Sequence, residues 1–278
     1  MEKPIMFRDP RILLTRDTKY IDVADMKKIS LGDLSFCVPQ SSIGRNGAWF
    51  KNDNEEAYYL KRRGFLAIIL NELIGEYLSK YMGVDTVEYD LAYEDDNIVG
   101  LFSKNFRKPN VDYIYSQYLT EEEKKFIFRV ISRRAKTDIA KDYKKQYTDY
   151  LMRNFYANQW DKVFNTLCYR DNGLVYLSTL FDYESSFYHV DDNSMIDPFL
   201  MHEELSYDLI NKLRKKDNCF DESIEKVLGF NMEETLERIV DDFGIRIPDA
   251  VMDHYTSYDE ERKRLMKENI SNKRIKLF

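Results

Sequence analysis

The pattern of this chain changes once, and the change limits what it can fold into. Up to about residue 106 the apolar runs are short and β-branched; past Lys108, Pro109 and Asn110, long helical periods take over. Runs at 11–15, 19–23 and 34–38, separated by Asp, Gly and Pro, predict a small antiparallel sheet. Residues 48–51 and 56–61 add a hairpin, with Asn52, Asp53 and Asn54 in its loop. The clearest helix is 65–82, where Ile69, Leu73, Ile74, Tyr77, Leu78 and Tyr81 recur at helical spacing before Gly83 stops it. Residues 86–93 and 97–103 return to strand alternation.

Beyond the break, Thr120 and Glu123 form a capping box ahead of Phe126, Ile127, Val130 and Ile131. Further helices are predicted near 140–156, 200–216, 221–228, 232–243 and 247–273. The expectation is an α+β chain with two lobes: a small, antiparallel β-rich lobe at 1–106 and an α-helical lobe at 107–278.

Charge and cysteine usage narrow the function. A net charge of −7 over 278 residues argues against broad nucleic-acid binding, which needs a basic surface to neutralise phosphates. The basic end of the chain, Lys273, Arg274 and Lys276, reads as a solvated terminus. Cys37, Cys168 and Cys219 are odd in number and lack CxxC spacing, and His189, His202 and His254 are scattered, so neither a disulfide framework nor a zinc site is expected. The sequence opens MEKPIMFRDPRILL, without a long apolar region, and has no membrane-length apolar run; the expected setting is cytoplasmic and free of the membrane.

The chemistry concentrates between Met152 and Phe187. Asp161 and Asn165 share one short segment, Asn172 and Gly173 make a hairpin turn, and the following β-rich run ends at Asp182. Two carboxylates and an amide brought together by a hairpin suit phosphoryl transfer: one carboxylate orients the nucleophile, while the amide oxygen and the other carboxylate hold Mg²⁺ against phosphates. The same residue types are also common in ordinary turns. Upstream, residues 40–47 (QSSIGRNG) form a Ser- and Gly-bearing turn whose backbone N–H groups can cover phosphates, or which is simply a surface loop. Glu72 and Glu76 are i, i+4 neighbours on the 65–82 helix, and either one reaches Lys61 or lies at a solvated edge.

In order, these features are strand, Gly turn, strand with Lys, helix with Glu, short connection, helical lobe, then Asp, Asn and Asp. The order resembles the protein-kinase-like fold, and within it the HipA-like serine/threonine kinases of bacteria, among them the short, CtkA-like members. The likeness spans about residues 35–190. Ser41, Ser42, Ile43 and Gly44 match the spacing of that family's phosphate-covering loop, which implies that Ser41 or Ser42 is an autophosphorylation site. Lys61 in AYYLK resembles the family's phosphate lysine, with Lys51 in AWFK as the fallback. Asn71 and Glu72, ahead of Gly83 and VDTVEY, resemble the acidic helix, which makes Glu72 the partner of Lys61. GLFSKNF resembles the hinge that hydrogen-bonds adenine, which places Phe102 and Lys104 at the nucleotide. Asn158 to Asn165 resembles the catalytic segment with four residues from Asp to Asn where the family has five, and an alignment on the two Asn residues puts Trp160 in the aspartate's place. FDYESSF resembles the metal segment, with Asp182 as the chelator.

The resemblance implies an ATP- and Mg²⁺-dependent kinase acting on Ser or Thr of a protein, with a possible antitoxin-type partner. Asp161, Lys61 and Glu72 would be catalytic, Asn165 and Asp182 would hold metal, and Ser41, Ser42, Gly44, Lys61, Phe102 and Lys104 would hold nucleotide. The shortened Asp161 to Asn165 spacing leaves a nucleotide-binding pseudokinase as the alternative, and the fold also admits small-molecule or RNA-bound substrates.

Overall fold

Most of the first sheet is built from strands short enough that only their neighbours can hold them. The computed structural model describes residues 28–30, 35–37, 47–51, 56–61, 66–94, 97–108, 110–159, 162–188, 194–201 and 203–270. The runs expected at 11–15 and 19–23, the Ser41, Ser42 and Gly44 turn, and Trp160 with Asp161 lie outside these residues.

In chain order the first elements are β1 (Lys28–Ser30), β2 (Ser35–Cys37), β3 (Gly47–Lys51), β4 (Ala57–Lys61), α1 (Leu66–Met82), β5 (Tyr89–Glu94) and β6 (Asn97–Lys104). The six strands make one sheet in the order β1-β5-β6-β4-β3-β2. All pairs are antiparallel except β1 with β5, which is parallel and departs from the purely antiparallel sheet expected. β1 is three residues long, too short to show a two-residue period in sequence. On one face Leu60, Ala92 and Phe102 are buried together, with the Phe50 ring edge-on to Phe102 at 5.9 Å.

Helix α1 is apolar almost all round and is accordingly buried almost all round, from Leu66 to Ser79 except Tyr77. Each fully buried Leu or Ile here contributes about 1.5–3 kcal/mol. The helix ends where Gly83, at φ +75°, donates to the Lys80 carbonyl and Val84 to that of Ser79. Those two bonds make a Schellman stop, which a left-handed residue permits.

The remainder comprises β7 (Asp112–Tyr115), α2 (Glu121–Ser132), α3 (Asp138–Ala157), α4 (Lys162–Asn165), β8 (Leu167–Asp171), β9 (Leu174–Leu177), β10 (Ser194–Ile196), β11 (Glu204–Ser206), α5 (Tyr207–Leu213), α6 (Cys219–Gly229), α7 (Met232–Phe243) and α8 (Asp249–Asn269). The Thr120–Glu123 capping box is formed. Asn172 and Gly173 both have positive φ, as a two-residue hairpin turn between β8 and β9 demands. β7 adds an unanticipated third strand to that hairpin. Helix α3 is the axis of this part, with Leu151, Met152, Phe155 and Tyr156 fully buried and α1, α2 and α6 packed around it. Among the described residues no helix is long and apolar enough to cross a membrane. Cys168 and Cys219 are free and buried.

Candidate active site

Lys61 ends β4, where alternation along the strand sends Leu60 into the apolar cluster and Lys61 to the other face. There its ammonium meets carboxylates from two other elements. Nζ donates to Glu72 Oε1 on α1 and to Asp182 Oδ1, which follows β9, and it lies 3.2 Å from Glu184 Oε2. Burial alone would lower the Lys61 pKa, but Glu72, Asp182 and Glu184 outweigh it and hold the ammonium well above its usual range.

Glu72 is fully buried. Its second oxygen accepts from the Tyr89 hydroxyl at 2.7 Å and from the Tyr183 backbone N–H at 2.8 Å, so one carboxylate ties β4, β5, α1 and the Asp182 turn together. Glu76 is also buried, not at a solvated edge, and turns elsewhere: it accepts from Lys80 at 2.8 Å and from the Tyr89 N–H at 2.9 Å. Asn165, at the end of α4, donates Nδ2 to Asp182 Oδ2 at 2.9 Å. Lys61, Glu72, Asn165 and Asp182 are therefore brought together from β4, α1, α4 and the segment after β9.

The nucleotide residues expected on β6 stand apart from this cluster. Phe102 is buried in the small apolar cluster, and its register pairs it with Leu60 on one side and Asp90 on the other. Lys104 is exposed and pairs with Glu56. β6 runs to Lys104, and Asn105 still donates to the Ala57 carbonyl at 2.8 Å, so the backbone leaves the sheet at the end of the GLFSKNF stretch. The apolar side chain nearest in sequence to that exit, Phe106, stacks on Phe181 with ring centroids 6.0 Å apart, directly before Asp182. Lys51 lies on β3, where it pairs with Ala57 and Ser35. Ser41, Ser42, Gly44 and Asp161 are outside the described residues.

Sequence reasoning passed over Lys162, Tyr183 and Gly75, which shape the site around Asp182. Asp182 adopts φ +62°, a left-handed conformation that is rare for a residue with a side chain. The carbonyls around it are held by Lys162, which donates to Phe181 O and, at 2.9 Å, to Asp182 O. Tyr183 packs its ring so close to α1 that a Cβ on Gly75 would lie 2.3 Å from it. A glycine inside a helix is the one sequence signal that pointed to this close approach.

The oxygens of Asp182 and Glu184, with the amide of Asn165, are hard donors suited to Mg²⁺. Among the described residues no group of three or more His, Cys, Asp or Glu side chains forms a metal site. A cation here would therefore complete its shell with phosphate oxygens and water, as Mg²⁺ commonly does.

No protein-family model matches the sequence, and a sequence search of curated proteins found no match. Solved structures do match in three dimensions. The chain is similar to the Helicobacter pylori proinflammatory kinase CtkA, with a TM-score of 0.60 and 13% identity over 88% of this chain and 97% of that one. It is also similar to HipA in the Shewanella oneidensis MR-1 complex of the toxin–antitoxin pair HipA and HipB with operator DNA, with a TM-score of 0.53 and 12% identity over 84% of this chain and 66% of that one. At these identities the likeness is one of fold, and the chain has the bilobal, α+β, protein-kinase-like fold of these two proteins.

Proposed function

We propose that the protein is an ATP- and Mg²⁺-dependent kinase that transfers the γ-phosphate to Ser or Thr of a protein. The observation that carries this reading is Lys61 held jointly by Glu72 and Asp182, with Asn165 bonded to the same Asp182. An ammonium fixed by a buried glutamate is preorganised to meet phosphate oxygens, at no further cost of ordering when they arrive.

In this reading Lys61 neutralises charge on the α- and β-phosphates, and Glu72 keeps it in place. Asp182 Oδ atoms and the Asn165 amide oxygen hold the cation, which when bound offsets the charge that develops on the transferring phosphoryl group. The substrate hydroxyl oxygen bonds to the γ-phosphorus, its proton passes to Asp161, and the bond to the β–γ bridging oxygen breaks to release ADP. Phe106 and Phe181 supply the apolar wall for adenine, and residues 105–108, where the chain leaves β6, take over the adenine contacts first expected of Phe102 and Lys104. Ser41, Ser42 and Gly44 cover the phosphates, with Ser41 or Ser42 accepting a phosphate in self-modification. In this reading the two lobes divide between residues 106 and 107, after β6. By analogy with HipA, which is in complex with HipB, an antitoxin-type partner in the cytoplasm belongs to the same reading.

Mass spectrometry after incubation with Mg²⁺-ATP, alone, with a protein mixture and with small hydroxylated metabolites, tests the reaction. Phosphate on Ser41 or Ser42, or on Ser and Thr of added proteins, supports it. Phosphate only on metabolites would move the substrate class, and nucleotide binding without any transfer would make the chain a pseudokinase.

A further inference from the structure

Behind the Asp182 turn lies a second cation, sealed in the core. Arg153 on α3 is fully buried, and no carboxylate among the described residues pairs with it. It uses its donors on neutral acceptors instead: Nε on Ser79 Oγ at 3.1 Å, Nη2 on the Gly75 carbonyl at 3.2 Å, and Nη1 on Asn154 Oδ1 at 3.0 Å and on Gln159 Oε1. Its guanidinium carbon lies 4.1 Å from the centre of the Tyr183 ring. Burial pushes the Arg153 pKa down, yet an arginine keeps its proton, so the charge must be solvated by these groups.

That requirement fixes Gln159. A guanidinium only donates, so the Gln159 amide must present its oxygen to Arg153 and its NH₂ group away from it. Nε2 then donates to the Asp182 carbonyl at 2.5 Å. The residue it holds is the one in the left-handed conformation, and its carboxylate faces Lys61 and Asn165.

We propose that Arg153 and Gln159 are positioning residues for the cation site: Arg153 orients the Gln159 amide, and Gln159 fixes the Asp182 backbone so that its carboxylate stands between Lys61 and Asn165. The inference rests on the kinase reading above. Neither residue touches nucleotide or metal in this arrangement, and both act through Asp182. Outer-shell groups of this kind typically set metal affinity by about 10- to 100-fold.

Gln159→Glu separates positioning from packing. It keeps the size of the side chain and gives Arg153 a charged partner, but it turns a carboxylate oxygen toward the Asp182 carbonyl. Gln159→Met, of similar length and uncharged, is measured beside it. The readouts are thermal melting, ADP binding without metal, and the Mg²⁺ concentration that half-saturates ADP binding by calorimetry. The expected result is metal-free ADP affinity near wild type in both variants, melting near wild type in Gln159→Glu and lowered in Gln159→Met by the acceptor lost from Arg153, and a Mg²⁺ requirement raised about tenfold or more in both. An unchanged Mg²⁺ requirement, an equal loss of binding with and without Mg²⁺, or loss of the fold in both variants overturns the inference. Wild-type protein that binds no ADP under any condition overturns the kinase reading instead.

Discussion

Lys61 and Arg153 both contact the turn at residues 181–183, and both are largely shielded from water, yet they are held in opposite ways. Lys61 is one ammonium facing three carboxylates, those of Glu72, Asp182 and Glu184. Arg153 has a hydroxyl, a backbone carbonyl, two side-chain amide oxygens and an aromatic face. The first arrangement has an excess of negative charge beside a cation that retains some access to solvent, which favours exchange of one carboxylate for an incoming phosphate once a divalent cation has neutralised the others. The second has no charge to exchange and all its partners fixed in the fold. In the kinase reading, one side of the turn serves ligand chemistry and the other permanence.

The largest effect should come from breaking the permanent side. Arg153→Met removes a cation and leaves the Gly75 carbonyl and the Asn154 and Gln159 amide oxygens facing a methyl group, at a cost of about 4 kcal/mol in urea unfolding. A loss near zero would mean that water replaces the guanidinium and that the permanence is illusory. Lys61→Met should cost less, about 3 kcal/mol, because Glu72 loses its cation but keeps the Tyr89 and Tyr183 donors. Adding Glu72→Gln to Lys61→Met should recover most of that stability while nucleotide affinity stays lost. Recovery of both would show that Lys61 serves the fold alone.

Asp197 sharpens the comparison from the opposite sign. It is a buried carboxyl with neutral partners, as Arg153 is a buried guanidinium with neutral partners, and burial pushes its pKa up to about 7 against the opposing Phe199 N–H and Tyr150 hydroxyl. Unlike arginine, it escapes the penalty by keeping a proton. The folded state then holds a proton that the unfolded chain releases above about pH 4, so this group's stabilisation is full at lower pH and is lost as pH rises through about 7. Between pH 5 and pH 8 the loss should be about 2–3 kcal/mol, and Asp197→Asn should flatten it. The smallest effect concerns the close approach at Tyr183: Gly75→Ala should cost about 2 kcal/mol through overpacking, with the Asp182 turn displaced along with the ring.

The two sides also differ in how far they can be read from sequence. Lys61 and Glu72 sit on a regular strand and a strongly periodic helix, and Asp182 follows a hairpin marked by Asn172 and Gly173, so local pattern marks all three as candidates, while the preference for Lys61 over Lys51 and for Glu72 over Glu76 comes from the family resemblance. The helical period and stop of α1, the capping box at Thr120 and the switch from strands to helices are equally local signals. Arg153 is not legible: an arginine in a helix ordinarily reads as a solvated face, and only the tertiary packing of α1, Tyr183 and Gln159 makes it a core residue. The adenine contact is proposed at residues 105–108 and not at Phe102 and Lys104 because strand alternation gives no sign of where pairing stops, and β6 runs on to Lys104. The three-residue β1 and the added β7 depend on their partners for the same reason.

The central claim is that the carboxylates gathered on Lys61 form a nucleotide site that needs a divalent cation. It is tested most directly by titrating ATP into wild type and Asp182→Ala by calorimetry, with and without Mg²⁺. The account predicts binding that depends on Mg²⁺ in wild type and is weakened about tenfold or more by Asp182→Ala. Wild-type protein that ignores ATP, or that binds it equally well without Mg²⁺ and without the Asp182 carboxylate, would contradict it.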